Sequence, residues 1–185
     1  MRTTHLILAS MLAALPAVAA GATTEAPKST HPGYVDGAIF RDLVDDDGDI
    51  VEVDLDKTML RALGKRKDED NPGKELLSTL EAVHAVNGTV KAPAARVFEI
   101  IKQTQQKLLS AGWHQVTKIK DESDWVYVLT HVTGDQVDGL VALIFESEDR
   151  EITFVNLVGP IDLSKLGEYG DMVHVPGLEN VPGAR

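Results

Sequence analysis

The chain has 185 residues, of which 43% are hydrophobic and 25% charged, with a formal net charge of −11 and no cysteine. That length suits one ordinary domain, and the composition excludes disorder along the whole chain. The acidic balance excludes nucleic acid as an expected partner, and the missing cysteine excludes a disulfide framework, thiolate chemistry and a lipid-bearing anchor residue.

The first residues read as a cleavable signal peptide over 1–19. Arg2 supplies a positive start, an apolar run extends from Leu6 to Ala14, and Pro16 breaks it. Ala17-Val18-Ala19 then places small residues where a signal peptidase reads them. The run is too short to cross ~30 Å of hydrocarbon, so no membrane anchor is expected after cleavage. Losing Arg2 with the leader takes the charge from −11 to about −12. A bacterial periplasm or the medium suits such a chain, since a eukaryotic secreted domain more often carries disulfides. Asn87-Gly88-Thr89 fits a glycosylation sequon, but Asn-Gly is also an ordinary turn signal.

Residues 20–33 have the Ala/Thr/Pro/Ser composition of a flexible tail. Asp45-Asp46-Asp47-Gly48 predicts an acidic turn before a strand from Ile50 to Leu55. Asp56 caps a helix that starts at Lys57 and ends at Gly64. A charged loop from Lys65 to Gly73 leads to a second helix, Lys74 to about Ala82, and then to a strand over Val83–Val90. Pro93 opens the clearest helix, with Ala94, Val97, Phe98, Ile101, Leu108 and Leu109 on one face and Gly112 as its stop. Four strands follow, Trp113–Ile119, Asp124–Val132, Gln136–Phe145 and Glu151–Val158, with Gly159-Pro160 ending the last and a short helix over Asp162–Tyr169.

The implied architecture is an α+β, two-layer domain over residues 34–170, with residues 171–185 as a C-terminal tail. Its mixed, mostly antiparallel sheet ends in a four-strand meander and packs with three to four helices. Along 124–132, Trp125, Tyr127, Leu129 and His131 share one face, while Val126, Val128, Thr130 and Val132 share the other. The next two strands are apolar on both faces as well. Each face therefore requires a cover, from this chain's own helices or tails or from a partner.

Short segments along the chain resemble the bacterial envelope family DUF4252. They are His31-Pro32-Gly33-Tyr34-Val35-Asp36, Val51-Glu52-Val53-Asp54-Leu55 before Met59-Leu60, Ala111-Gly112-Trp113, Val137-Asp138-Gly139-Leu140-Val141, and Asn156 to Leu163. The resemblance spans His31 to about Leu178 and implies no assigned activity. Many members of that family are lipoproteins, whereas this chain lacks the cysteine and is expected to be soluble. The resemblance also implies a tie to envelope stress.

No catalytic motif stands out. There is no Gly-x-Ser-x-Gly, no dinucleotide fingerprint, and Gly64-Lys65 lacks the rest of a phosphate loop. Asp45, Asp47 and Asp49 suggest a calcium loop, but Leu43 would stand first in it and Asp54 last, so an acidic turn is the better reading. The histidines after the leader, His31, His84, His114, His131 and His174, lack metal-ligand spacing, although His114 and His131 could meet across neighbouring strands. No metal and no cofactor are expected.

Trp125, Tyr127 and His131 form the candidate binding face, because Trp and Tyr are favoured interface anchors, and plain core packing is the competing reading of the same stripe. If that face binds, Trp125 and Tyr127 should be exposed in the monomer. The expected role is that of a non-catalytic exported protein, with another envelope protein or a second copy of itself as partner. A binder of a small apolar ligand between sheet and helices is an alternative, and a hydrolase or metal-dependent enzyme with a dispersed site is another.

Overall fold

The computed structural model describes residues 30–45, 48–64, 78–120 and 124–162. The predicted leader, most of the predicted tail over 20–33, the loop 65–73, most of the helix over 74–82, the helix after Asp162 and the C-terminal tail lie outside these residues. So do Asp46 and Asp47.

After a four-residue helix, α1 (Ala38–Arg41), strand β1 (Ile50–Asp56) runs directly into helix α2 (Lys57–Gly64). Asp56 makes that junction possible. Its Oδ1 accepts the backbone N–H groups of Thr58 at 2.8 Å and Met59 at 2.9 Å, which the first helical turn would otherwise leave unpaired. Leu60 is the one fully buried side chain of α2.

Strand β2 (Ala82–Thr89) is followed by helix α3 (Ala94–Ser110). Pro93 stands at the N-cap of α3, where its missing N–H costs nothing. The helix ends where Gly112 takes φ +91° and the Trp113 N–H returns to the Leu108 carbonyl at 3.1 Å. Strands β3 (His114–Lys120), β4 (Asp124–Thr133), β5 (Gln136–Glu146) and β6 (Glu151–Ile161) complete the order.

The six strands form one sheet in the order β1-β2-β6-β5-β4-β3. All five neighbouring pairs are antiparallel, so the sheet expected to be mostly antiparallel has no parallel pair among the described strands. Helix α3 carries the chain from β2 to the far edge, and three short connections bring it back until β6 lies against β2. Short connections force antiparallel neighbours, and the long crossover delivers β3 to an edge rather than beside β2.

Alternation along the strands then divides the core in two. On the face that α1 and α3 cover, Phe40, Val97, Ile101, Leu129, Leu143, Phe145, Ile152 and Phe154 are almost fully buried. Phe40 stacks on Phe154 with ring centroids 5.0 Å apart, and Phe98 meets Trp125 at 4.5 Å and Phe145 at 5.1 Å. Rings therefore fill the space between the sheet and both helices, and the fully buried Phe40, Phe145 and Phe154 each contribute roughly 1.5–3 kcal/mol of burial. The opposite face buries Leu60, Leu80, Val126, Val128, Leu140, Ala142, Ile144 and Val155.

Four details differ from the sequence-based expectation. Leu109 is 41% exposed and Ile100 takes its place in the core, a shift of the buried stripe around α3. Ala82 is the first residue of β2 rather than the end of a helix. His31 to Gly33 belong to the folded domain, with Gly33 buried, rather than to a tail. Strand β6 continues through Gly159-Pro160 to Ile161. Pro160 is tolerated because β2 pairs with β6 only as far as Val158, so beyond it β6 has a neighbour on one side alone.

Candidate functional site

The segment from His31 to Val35 is strapped across the helix-covered face by Asn156 of β6. The Asn156 amide is fully buried. Its Nδ2 donates to the carbonyls of Gly33 at 3.0 Å and Leu140 at 3.1 Å, and its Oδ1 accepts the Val35 N–H at 2.9 Å. Gly33 lies directly on β5, where a Cβ would come 2.1 Å from the Asp138 carbonyl oxygen. Glycine at 33 and at 139 is thus a steric requirement of the strap.

Beside it sits a polar group at the β4–β5 hairpin. The Asp138 carboxylate is 2.6 Å from His131 Nδ1 and accepts the Thr133 hydroxyl at 2.6 Å. Burial pushes the Asp138 carboxyl up, but the hydrogen bonds from Thr133 and His131 outweigh it and hold the group below the usual aspartate range. With Asp138 ionised the short contact places a proton on His131 Nδ1. The Trp113 ring packs 5.4 Å from that imidazole. On the other side of the strap, Tyr34 meets His84 edge-on at 4.8 Å, and His84 Nδ1 is 3.0 Å from Asp54. At the start of β2, the Lys57 hydrogen bond to Glu81, 2.8 Å long, holds that carboxyl below its ordinary range. These groups tie the strap, the hairpin and β1 together, and among the described residues no three His, Asp or Glu side chains converge as metal ligands would.

The sheet has two outer edges, and among the described residues neither is paired with a further strand. Strand β1 alternates exposed and half-buried positions along its seven residues, with Glu52, Asp54 and Asp56 exposed and Val51, Val53 and Leu55 turned inward. Glu52 is held by Arg41 at 2.5 Å. At the opposite edge, β3 carries exposed Lys118 and Lys120. Their ammonium groups lie 5.7 Å from the Tyr127 ring centre and 4.6 Å from that of Trp125. Beyond a bulge between Gln115 and Thr117, Lys118 lies opposite Tyr127 and Lys120 opposite Trp125 in the ladder.

The predicted binding face is not an open one. Tyr127 is 3% exposed, and Trp125 is half-buried against Phe98 of α3. Burial also raises the Tyr127 hydroxyl above its ordinary pKa. His131 shares their face and is mostly enclosed by its contacts with Asp138 and Trp113. The aromatic stripe is core because α3 crosses it, so the exposure expected of Trp125 and Tyr127 is corrected. His114 stands opposite Thr130 and His131 opposite Gly139, which puts the two histidines on opposite faces and not in contact. Asn156, Asp138 and Thr133 were not among the predicted site residues. An asparagine inside the apolar run Val155–Val158, and an aspartate between Val137 and Gly139, were the available signals.

The chain matches no curated protein and no solved structure. The family described as Domain of unknown function (DUF4252) matches residues 43–169, which is most of the chain, and the protein therefore belongs to the DUF4252 family.

Proposed function

We propose that the chain is exported and serves in the cell envelope as a non-catalytic module that takes up a strand of a partner chain, another envelope protein or a second copy, along the edge strand β1. The observation that carries this reading is the outer side of β1, seven residues long, alternately exposed and half-buried, unpaired among the described residues and ending a sheet that buries apolar side chains on both faces. Backbone N–H and C=O groups on such an edge form a template for strand addition, and alternate side chains give the added strand its specificity. Arg41 and His84 hold Glu52 and Asp54 in place, which fixes two acidic positions for a partner to read. Export rests on Arg2, the run Leu6–Ala14 and Ala17-Val18-Ala19. A tie to envelope stress belongs to the same reading and is supported by the family alone.

The test is a photo-reactive residue at Ile50, which is 46% exposed at the start of β1, in the cells that make the protein. The expected result is a covalent adduct with one envelope protein or with a second copy. The mature chain recovered with it should begin at Ala20. A cytoplasmic chain that keeps its leader, or adducts that form from Leu109 but never from Ile50, would contradict the reading.

A further inference from the structure

The two edges are matched to each other. On β1, Glu52 and Asp54 are two residues apart on the face that α1 and α3 cover. On β3, Lys118 and Lys120 are two residues apart on that same face, as their positions over Tyr127 and Trp125 require. Because all five strand pairs are antiparallel and six strands are in the sheet, β1 and β3 run in opposite directions. A second copy set beside the first in the same orientation would therefore bring its β1 antiparallel to the first copy's β3, continuing the sheet. In the register that sets Glu52 opposite Lys120, Asp54 faces Lys118 and, on the other face, Val53 lies against Ile119.

We propose that a second copy of this chain is the occupant of the β1 edge, joined head to tail through β3. This rests on the reading of β1 as a docking edge and names its partner. Lysines and a bulge on an edge strand ordinarily deter pairing. Here they deter only pairing of like edges: β3 with β3 would oppose lysines, and β1 with β1 would oppose carboxylates. The unlike pair alone gains opposite charges at both positions. A contact between different surfaces of identical chains closes into a ring or grows as a filament, according to the twist from copy to copy.

The experiment measures mass by sedimentation from dilute solution up to about 1 mM, the weak end of specific affinities, at low and high salt. The mature wild-type chain should gain mass with concentration and lose it as salt screens the edge charges. Lys118→Glu with Lys120→Glu should remain monomeric while keeping its circular dichroism. Added in excess to wild type, this variant should shorten the assemblies, because its β1 still docks but its β3 no longer accepts a neighbour. Glu52→Lys with Asp54→Lys should likewise be monomeric, and an equal mixture of the two variants should recover mass. A wild-type chain that stays monomeric at every concentration, or a Lys-to-Glu variant that assembles as wild type does, would overturn the proposal. A monomeric wild type together with an Ile50 adduct to a different protein would overturn this inference and leave β1 a docking edge.

Discussion

Gly33 and Gly139 pass one another backbone against backbone: a Cβ on Gly139 would lie 2.5 Å from the Gly33 Cα and 2.9 Å from the Trp113 ring. Neither neighbour is the flexible end of a side chain. Gly139→Ala should therefore lift the strap off β5 and cost on the order of 1–3 kcal/mol. Urea unfolding would read this as a lower midpoint with an unchanged slope, and an unaltered midpoint would mean the two backbones are not in contact.

Asn156 holds the strap from below. Replacing it with leucine leaves the Gly33 and Leu140 carbonyls and the Val35 N–H without the partner they have now. Each buried orphan costs about 1–3 kcal/mol, so Asn156→Leu should be among the most destabilising single changes in the sheet despite its gain in apolar area. Faster proteolysis around His31–Val35 should accompany the loss of stability. A leucine variant as stable as wild type would place these groups in contact with water instead.

Asp138 makes stability depend on pH. Its carboxyl is held below the usual aspartate range in the folded chain, so it contributes stability that is fully present above the unfolded value of about 3.9 and is lost as pH falls through the lower folded value. Asp138→Asn should be less stable than wild type at neutral pH, and the two should converge in strong acid. Urea midpoints at pH 7 and well below pH 4 check this. A gap of equal size at both would contradict it.

Much of this fold was legible in the sequence, because its signals are local. Asp56, Pro93 and Gly112 mark helix ends by backbone chemistry that needs no tertiary partner, and the alternation in 124–132 assigns faces correctly. The strap was not legible. Nothing in His31-Pro32-Gly33 reveals that Asn156, 123 residues beyond Gly33, binds its backbone. Whether Trp125 and Tyr127 were core or binding face was undecided for a related reason: their pattern gives the face, while the crossover of α3 decides which face is covered. Strand order is likewise set by that crossover, so the two charged edges could not be recognised as edges beforehand.

Arg150 pins the β2–α3 connection from the β5–β6 turn, donating to the carbonyls of Val90, Lys91 and Ala92. It does so at φ +55°, a conformation that costs a side-chain-bearing residue roughly 1–2 kcal/mol. Both Arg150→Ala and Arg150→Gly lose the three contacts, but only glycine relieves the backbone. The glycine variant should therefore unfold at the higher temperature, by about 1 kcal/mol in stability. Equal melting of the two would show that the turn relaxes when the guanidinium is removed.

The claim that β1 is a docking edge concerns main-chain hydrogen bonds, and hydrogen exchange reads those amide by amide. The free chain in dilute solution should exchange the outward-facing amides of β1 rapidly while those paired to β2 stay protected. In the complex recovered through the Ile50 crosslink, the outward-facing amides should become protected at alternate residues from Ile50 to Asp56, the signature of an added strand. An adduct whose β1 amides exchange as fast as those of the free chain would contradict strand addition and reduce the contact to side chains alone.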